Sequence, residues 1–150
     1  MNILNELKGL KLSNINRVSW TLKIDFSSDT GKTVCVHSQG SLLRIFKDGQ
    51  MIVSSEDMFY KGVEFEKQGR KRFSCDYVGI TLFDDEIAEN LSDLKGGEVE
   101  SANFIGTDVF INLKNNVIIN ILPYTLKKGI ENYRIFVKDD LNSLFIVKNE

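Results

Sequence analysis

His37 is the only imidazole in the chain, and it stands two residues after Cys35, one of two cysteines. On a strand, residues two apart share a face, so the pair offers two metal ligands side by side. A closed zinc site takes four ligands, and Cys75 is the one other obvious donor, so no metal and no cofactor is expected. A Cys–His nucleophile pair fares no better, because neither cysteine has an activating surround in sequence. His37 therefore reads as a half-buried strand residue. Arg44 and Arg134 each open an Arg-Ile-Phe triplet. A guanidinium beside apolar strand neighbours can grip a carboxylate or phosphate through two parallel N–H bonds. With Gln39 and Asp57 they complete the candidate ligand- or partner-binding set: His37, Gln39, Arg44, Asp57 and Arg134. The acidic run Asp84, Asp85, Glu86, Glu89 and Asp93 lacks the ligand spacing and central glycine of an EF-hand loop and reads as a solvated helix face. The basic run Lys67 to Arg72 carries only Phe73 for base stacking and reads as a solvated loop. No GxGxxG, Walker A, GxSxG or HExxH is present, so no catalytic residue is assigned.

The elements that must position these residues are mostly strands. Asn2 is a plausible N-cap for a short helix on which Ile3, Leu4 and Leu7 share a face, ending at Gly9. Leu10 to Val18 is extended. Thr21 to Phe26 alternates, with Leu22, Ile24 and Phe26 inward. Strands follow at Thr33–His37, Leu42–Lys47 and Met51–Ser54, the last two joined by Asp48-Gly49, whose residues suit a type I′ hairpin turn. Tyr60 to Asp76 reads as an exposed, charged excursion, and Val78–Phe83 as a short strand. The one clear helix spans 84–95. Acids crowd its first turn, Ile87, Leu91 and Leu94 form its apolar face, and Gly96 stops it. Strands at Val99–Ile105, Asp108–Leu113, Val117–Leu122, Tyr133–Lys138 and Leu144–Val147 complete the chain, with Asn115-Asn116 turning the second into the third.

The halves correspond. An offset of 87 residues lays Leu7-Lys8-Gly9 on Leu94-Lys95-Gly96, Leu12 on Val99, and Leu22-Ile24-Phe26 on Val109-Ile111-Leu113. After a shorter turn Val34 and Val36 meet Val117 and Ile119, and Arg44-Ile45-Phe46 meets Arg134-Ile135-Phe136. The expected fold is α+β, predominantly antiparallel β with one clear helix. It consists of two similar helix-plus-β-meander units, 4–53 and 91–139, sharing one core within a single domain, 1–150.

Net charge is −2, with 19 basic and 21 acidic residues, so the basic field of a nucleic-acid binder is missing. The start of the chain lacks the pattern of a signal peptide, no apolar run approaches a membrane span, and two cysteines are too few for a disulfide scaffold. A cytoplasmic protein with reduced thiols is expected.

His37-Ser38-Gln39-Gly40, Leu43-Arg44-Ile45, Ser54 to Asp57 and Tyr133-Arg134-Ile135-Phe136 together resemble the pattern of a group of small bacterial proteins of unassigned function. This chain differs from that group in having Leu43 where an aromatic is usual and Lys61-Gly62 where a proline is common. The resemblance implies an immunity or accessory factor for a bacterial toxin. The expectation is a non-enzymatic binding protein with a protein partner, without nucleic acid or membrane, and with strand edges open to homo-oligomerisation. The alternative is a small-molecule-binding domain or enzyme with a polar cleft near His37 and Arg44.

Overall fold

The computed structural model describes residues 2–58, 78–124 and 127–148, so the charged excursion at 60–76 and Cys75 lie outside the described residues. Ten strands follow the alternation in the sequence: β1 (Lys11–Val18), β2 (Thr21–Ser27), β3 (Thr33–Ser38), β4 (Ser41–Lys47), β5 (Gln50–Ser54), β6 (Val99–Ile105), β7 (Asp108–Leu113), β8 (Val117–Pro123), β9 (Glu131–Val137) and β10 (Phe145–Lys148). The hairpin turn at Asp48-Gly49 has positive φ at both residues, 49° and 81°, and Asn116 at φ 60° serves the β7–β8 turn. The structure is α+β, and its described residues form two five-stranded antiparallel sheets and one α-helix, α1 (Leu82–Leu94).

The expected meanders are corrected at their fourth strand. β4 does not pair with β3; it crosses to lie between β5 and β8, while β9 crosses the other way to lie beside β3. The sheets are ordered β1-β2-β3-β9-β10 and β6-β7-β8-β4-β5. The cause lies in the two residues between β3 and β4. The Asn132 carbonyl accepts from Gln39 N, Gly40 N and Ser41 Oγ, each at 3.0 Å, and holds the chain as it changes sheet. A Cβ on Gly40 would stand 3.0 Å from the Glu131 carbonyl oxygen and 3.2 Å from Asn132 Cα, tighter than ordinary contact, so a larger residue requires the β9 backbone to give.

Registers in the two sheets correspond closely. Leu12↔Phe26 and Val99↔Leu113 each precede a bulge, between Leu12 and Asn14 and between Val99 and Ser101. His37 faces Arg134 across β3–β9 as Asn120 faces Arg44 across β8–β4. Leu22, Ile24, Phe26, Val109, Ile111 and Leu113 all point into one core, which both sheets share. The sheets are joined where β1 meets β6. Gly9 N donates to Val99 O and Gly96 N to Leu12 O, while Leu12 N donates to Gly97 O and Val99 N to Leu10 O.

The segment at Ile3–Leu7 is a 3₁₀ helix capped by Asn2, whose side chain accepts from Leu4 N at 3.0 Å. The expected strand at Val78–Phe83 is not formed. Thr81 is instead the N-cap of α1, its side chain accepting from Asp84 N while the Asp84 carboxylate accepts from Thr81 N, a capping box that starts the helix at Leu82. Phe83, Ile87 and Leu94 are buried, and Leu91 packs against the core. Asp84 also accepts from Arg17 Nε and Nη2 of β1, both at 2.7 Å, an ion pair almost wholly removed from water. Burial alone would push the Asp84 carboxyl up, but the Arg17 and Thr81 hydrogen bonds and the Arg17 charge outweigh it and bring it down to about 2. That contribution to stability is complete above the ordinary carboxyl value of 3.8 and is lost as the pH falls towards 2. Replacing Arg17 by Met leaves Asp84 buried without its cation and should lower stability by about 3–5 kcal/mol. Urea unfolding at neutral pH measures it, and an unchanged midpoint would mean that the pair does not anchor the helix.

Candidate functional site

Built outward from the strands, the five sequence candidates fall into three places. His37 lies on the outer face of the first sheet, with Lys23 and Arg134 as its cross-strand neighbours. His37, Gln39, Glu131 and Arg134 line a concavity of about 280 Å³. The imidazole meets Phe136 edge-on at 5.0 Å. Burial, and then the Lys23 charge, lower its pKa below the ordinary value, so it stands neutral at neutral pH. Arg134 spends its fork on Glu131, at 2.5 and 2.6 Å, so its charge is already matched.

Arg44 lies on the outer face of the other sheet, beside Ser54 and Asn120 and over the Phe46 ring at 5.5 Å. Its Nε and the Asn120 Nδ2 are buried without hydrogen-bond partners. The expected cleft shared by His37 and Arg44 is therefore not formed: β3 and β4 lie in different sheets, and each residue faces outward from its own. Asp57 falls in a third place, a 3₁₀ turn at Ser55–Asp57 after β5.

There Asp57 meets α1. Glu86 accepts from Ser54 N at 3.0 Å, sealing the end of β5 against the helix. Burial first, and then the carboxylates of Asp57 and Glu89, push the Glu86 carboxyl up to about 7, against the lowering effect of the Ser54 bond. Among the described residues no basic side chain forms an ion pair with Asp57, Glu86 or Glu89. The acidic run is thus more than a solvated face: its second half meets another acid across the fold, which no spacing along the chain announces.

The same turn walls a second concavity of about 160 Å³, where the chain crosses between sheets. Ser38, Gln39, Ser41, Ser55 and Glu56 supply its polar lining, and Trp20 and Tyr124, about half and two-thirds exposed, flank it. Sequence reasoning used Gln39 but missed the rest. The signal available was the lone tryptophan, set in the β1–β2 turn where nothing in the core requires it.

Cys35 is free and buried, its thiol pushed up to about 12 by burial and by the Asp25 hydrogen bond and charge. A thiol so raised is a poor nucleophile and a poor metal ligand. Among the described residues no group of three or more His, Cys, Asp or Glu is placed to hold a metal ion, and no helix is long and apolar enough to cross a membrane.

Fold and surface thus define a two-sheet α+β protein with an acidic, aromatic-flanked end. The chain matches no known family model, no curated protein and no solved structure.

The acidic cluster has a measurable cost. Unfolded, Glu86 loses its proton near 4.5; folded, near 7, so stability falls as pH rises across that window. Glu86→Gln keeps an acceptor for Ser54 N and removes the charge. It should stabilise the protein by about 1–2 kcal/mol at pH 8, discounted for partial solvation, with the gain vanishing near pH 5. Thermal unfolding across that range measures it, and a pH-independent difference would contradict the assignment.

Proposed function

We propose that this protein is a non-enzymatic binding protein whose partner is a cationic protein surface. The observation that carries the reading is the convergence of Asp57, Glu86 and Glu89 at the end of β5, where burial first, and then the two neighbouring carboxylates, raise the Glu86 carboxyl to about 7. Like charges held together, with no ion-paired cation among the described residues, destabilise the free protein, and a basic partner would relieve them. Exposed Trp20 and Tyr124 stand at the same end of the fold, and such aromatics serve as anchors in protein interfaces. Neutralisation of a bacterial toxin is the form this takes under the sequence resemblance. A cytoplasmic setting accompanies it, supported by the free, buried Cys35. Association of copies through strand edges belongs to the same proposal, since among the described residues β10 pairs with β9 alone, and it exposes Phe145 and Ile146.

We also read the two halves as copies of one ancestral unit that exchange their fourth strands. The matched bulges, the mirrored sheet orders and the reciprocal hydrogen bonds between β1 and β6 support it.

The small-molecule alternative retains only His37, Gln39 and Arg134 in one concavity, with Arg134 already paired to Glu131. The two readings separate in a titration calorimeter. A deca-arginine peptide should bind, more weakly as salt rises, and a deca-glutamate peptide should not. Neutralising Asp57, Glu86 and Glu89 together as amides should weaken deca-arginine about tenfold or more, as loss of charge-assisted contacts does. Absence of binding at low salt would refute the proposal.

A further inference from the structure

We infer that the concavity between Trp20 and Tyr124 receives a single arginine or lysine side chain of the partner. This rests on the binding reading above and adds to it the place and chemistry of the anchor. A space of about 160 Å³ suits one long side chain rather than a drug-sized ligand. Its lining is rich in acceptors: the hydroxyls of Ser38, Ser41 and Ser55 and the carboxylate of Glu56. Ser38 is 3% exposed and its buried Oγ has no hydrogen-bond partner, an unmade bond that ordinarily costs stability.

Charge selects the occupant. Among the described residues that line the concavity Glu56 is the one charged side chain, which disfavours a phosphate or carboxylate there. Trp20 and Tyr124 line the concavity and are largely exposed, and aromatic rings attract a guanidinium or ammonium through their quadrupole. Glu56 is followed directly by Asp57, which meets Glu86, so the wall of the concavity runs on into the acidic cluster. One side chain can therefore enter while the basic residues beside it lie along Asp57, Glu86 and Glu89.

Trp20 is the only tryptophan, so its emission reports on this concavity without a label. The probes are N-acetyl-Gly-Arg-Gly-amide, its lysine, citrulline and glutamate counterparts, and deca-arginine. The arginine and lysine peptides should shift Trp20 emission saturably; the citrulline peptide, of the same shape without charge, and the glutamate peptide should not. Ser38→Ala should weaken the arginine peptide about tenfold, the loss expected for a hydrogen bond to a charged group. Tyr124→Ala, an exposed site that leaves the fold intact by thermal unfolding, should weaken it too. If deca-arginine binds by calorimetry while Trp20 emission stays unchanged and both variants bind as the parent does, the concavity is not the anchor and the broader reading stands. If no cationic peptide binds, both fall. An equal response to the citrulline peptide would overturn the choice of a charged occupant.

Discussion

The structure depends on the chain changing sheets between β3 and β4. Two residues make that passage, and one carbonyl, that of Asn132, accepts from Gln39 N, Gly40 N and Ser41 Oγ to hold it. Ordinarily a two-residue connection closes a hairpin, and β3 would pair with β4. Here the place beside β3 is taken by β9, whose Tyr133 and Ile135 are fully buried in the core. Filling each sheet with a strand from the other half commits both halves to a single hydrophobic core, so neither half is expected to persist alone. The reciprocal hydrogen bonds between β1 and β6 tie the sheets together a second time.

That passage also makes the concavity. Ser38 ends β3 in one sheet and Ser41 begins β4 in the other, so their hydroxyls come together only because the chain steps across. Gly40 suits the passage because a Cβ there would meet Glu131 and Asn132 more closely than ordinary contact allows. The remaining wall comes from the turn at Ser55–Asp57, positioned by α1. The Arg17–Asp84 pair and the Thr81 capping box set where the helix begins, and so where Glu86 meets Ser54 N one turn later. The helix thus carries polar contacts to β1 at its start and to the end of β5 one turn on.

Much of this fold was legible in the sequence. Alternation at Thr21–Phe26 and Asp108–Leu113 located strands and their inward faces, because a period of two admits one register against a core. Asp48-Gly49 located a hairpin because its turn needs positive φ. What failed did so for identifiable reasons. Hydrophobic alternation says which face of β4 is buried but not which strand lies beside it, so the strand exchange was invisible. Thr81 and Asp84 did spell a capping box, yet the apolar residues between them suggested a strand. Arg17 gave no hint that it is buried, since its partner lies 67 residues away. The site was less legible still. His37, Gln39 and Arg134 converge through register alone, whereas the concavity at Trp20 draws on turns and strand ends, where sequence carries no periodic signal.

The two halves differ where the proposed binding surface lies, and the difference has a physical source. At matching positions Arg134 is neutralised by Glu131, three residues away on its own strand, while Arg44 stacks on Phe46 with its Nε buried and unpartnered. Likewise Ile3–Leu7 makes only a short 3₁₀ turn where α1 runs for 13 residues, and it is the added length of α1 that brings Glu86 and Glu89 to Asp57. The common frame, two crossed sheets around one core, tolerates this because the departures sit on outer faces and ends, where burial imposes no pattern. Stability spent on crowded carboxylates can be recovered by a cation, which is why the acidic end of the second half, rather than either face of the sheets, is the surface proposed to meet a partner.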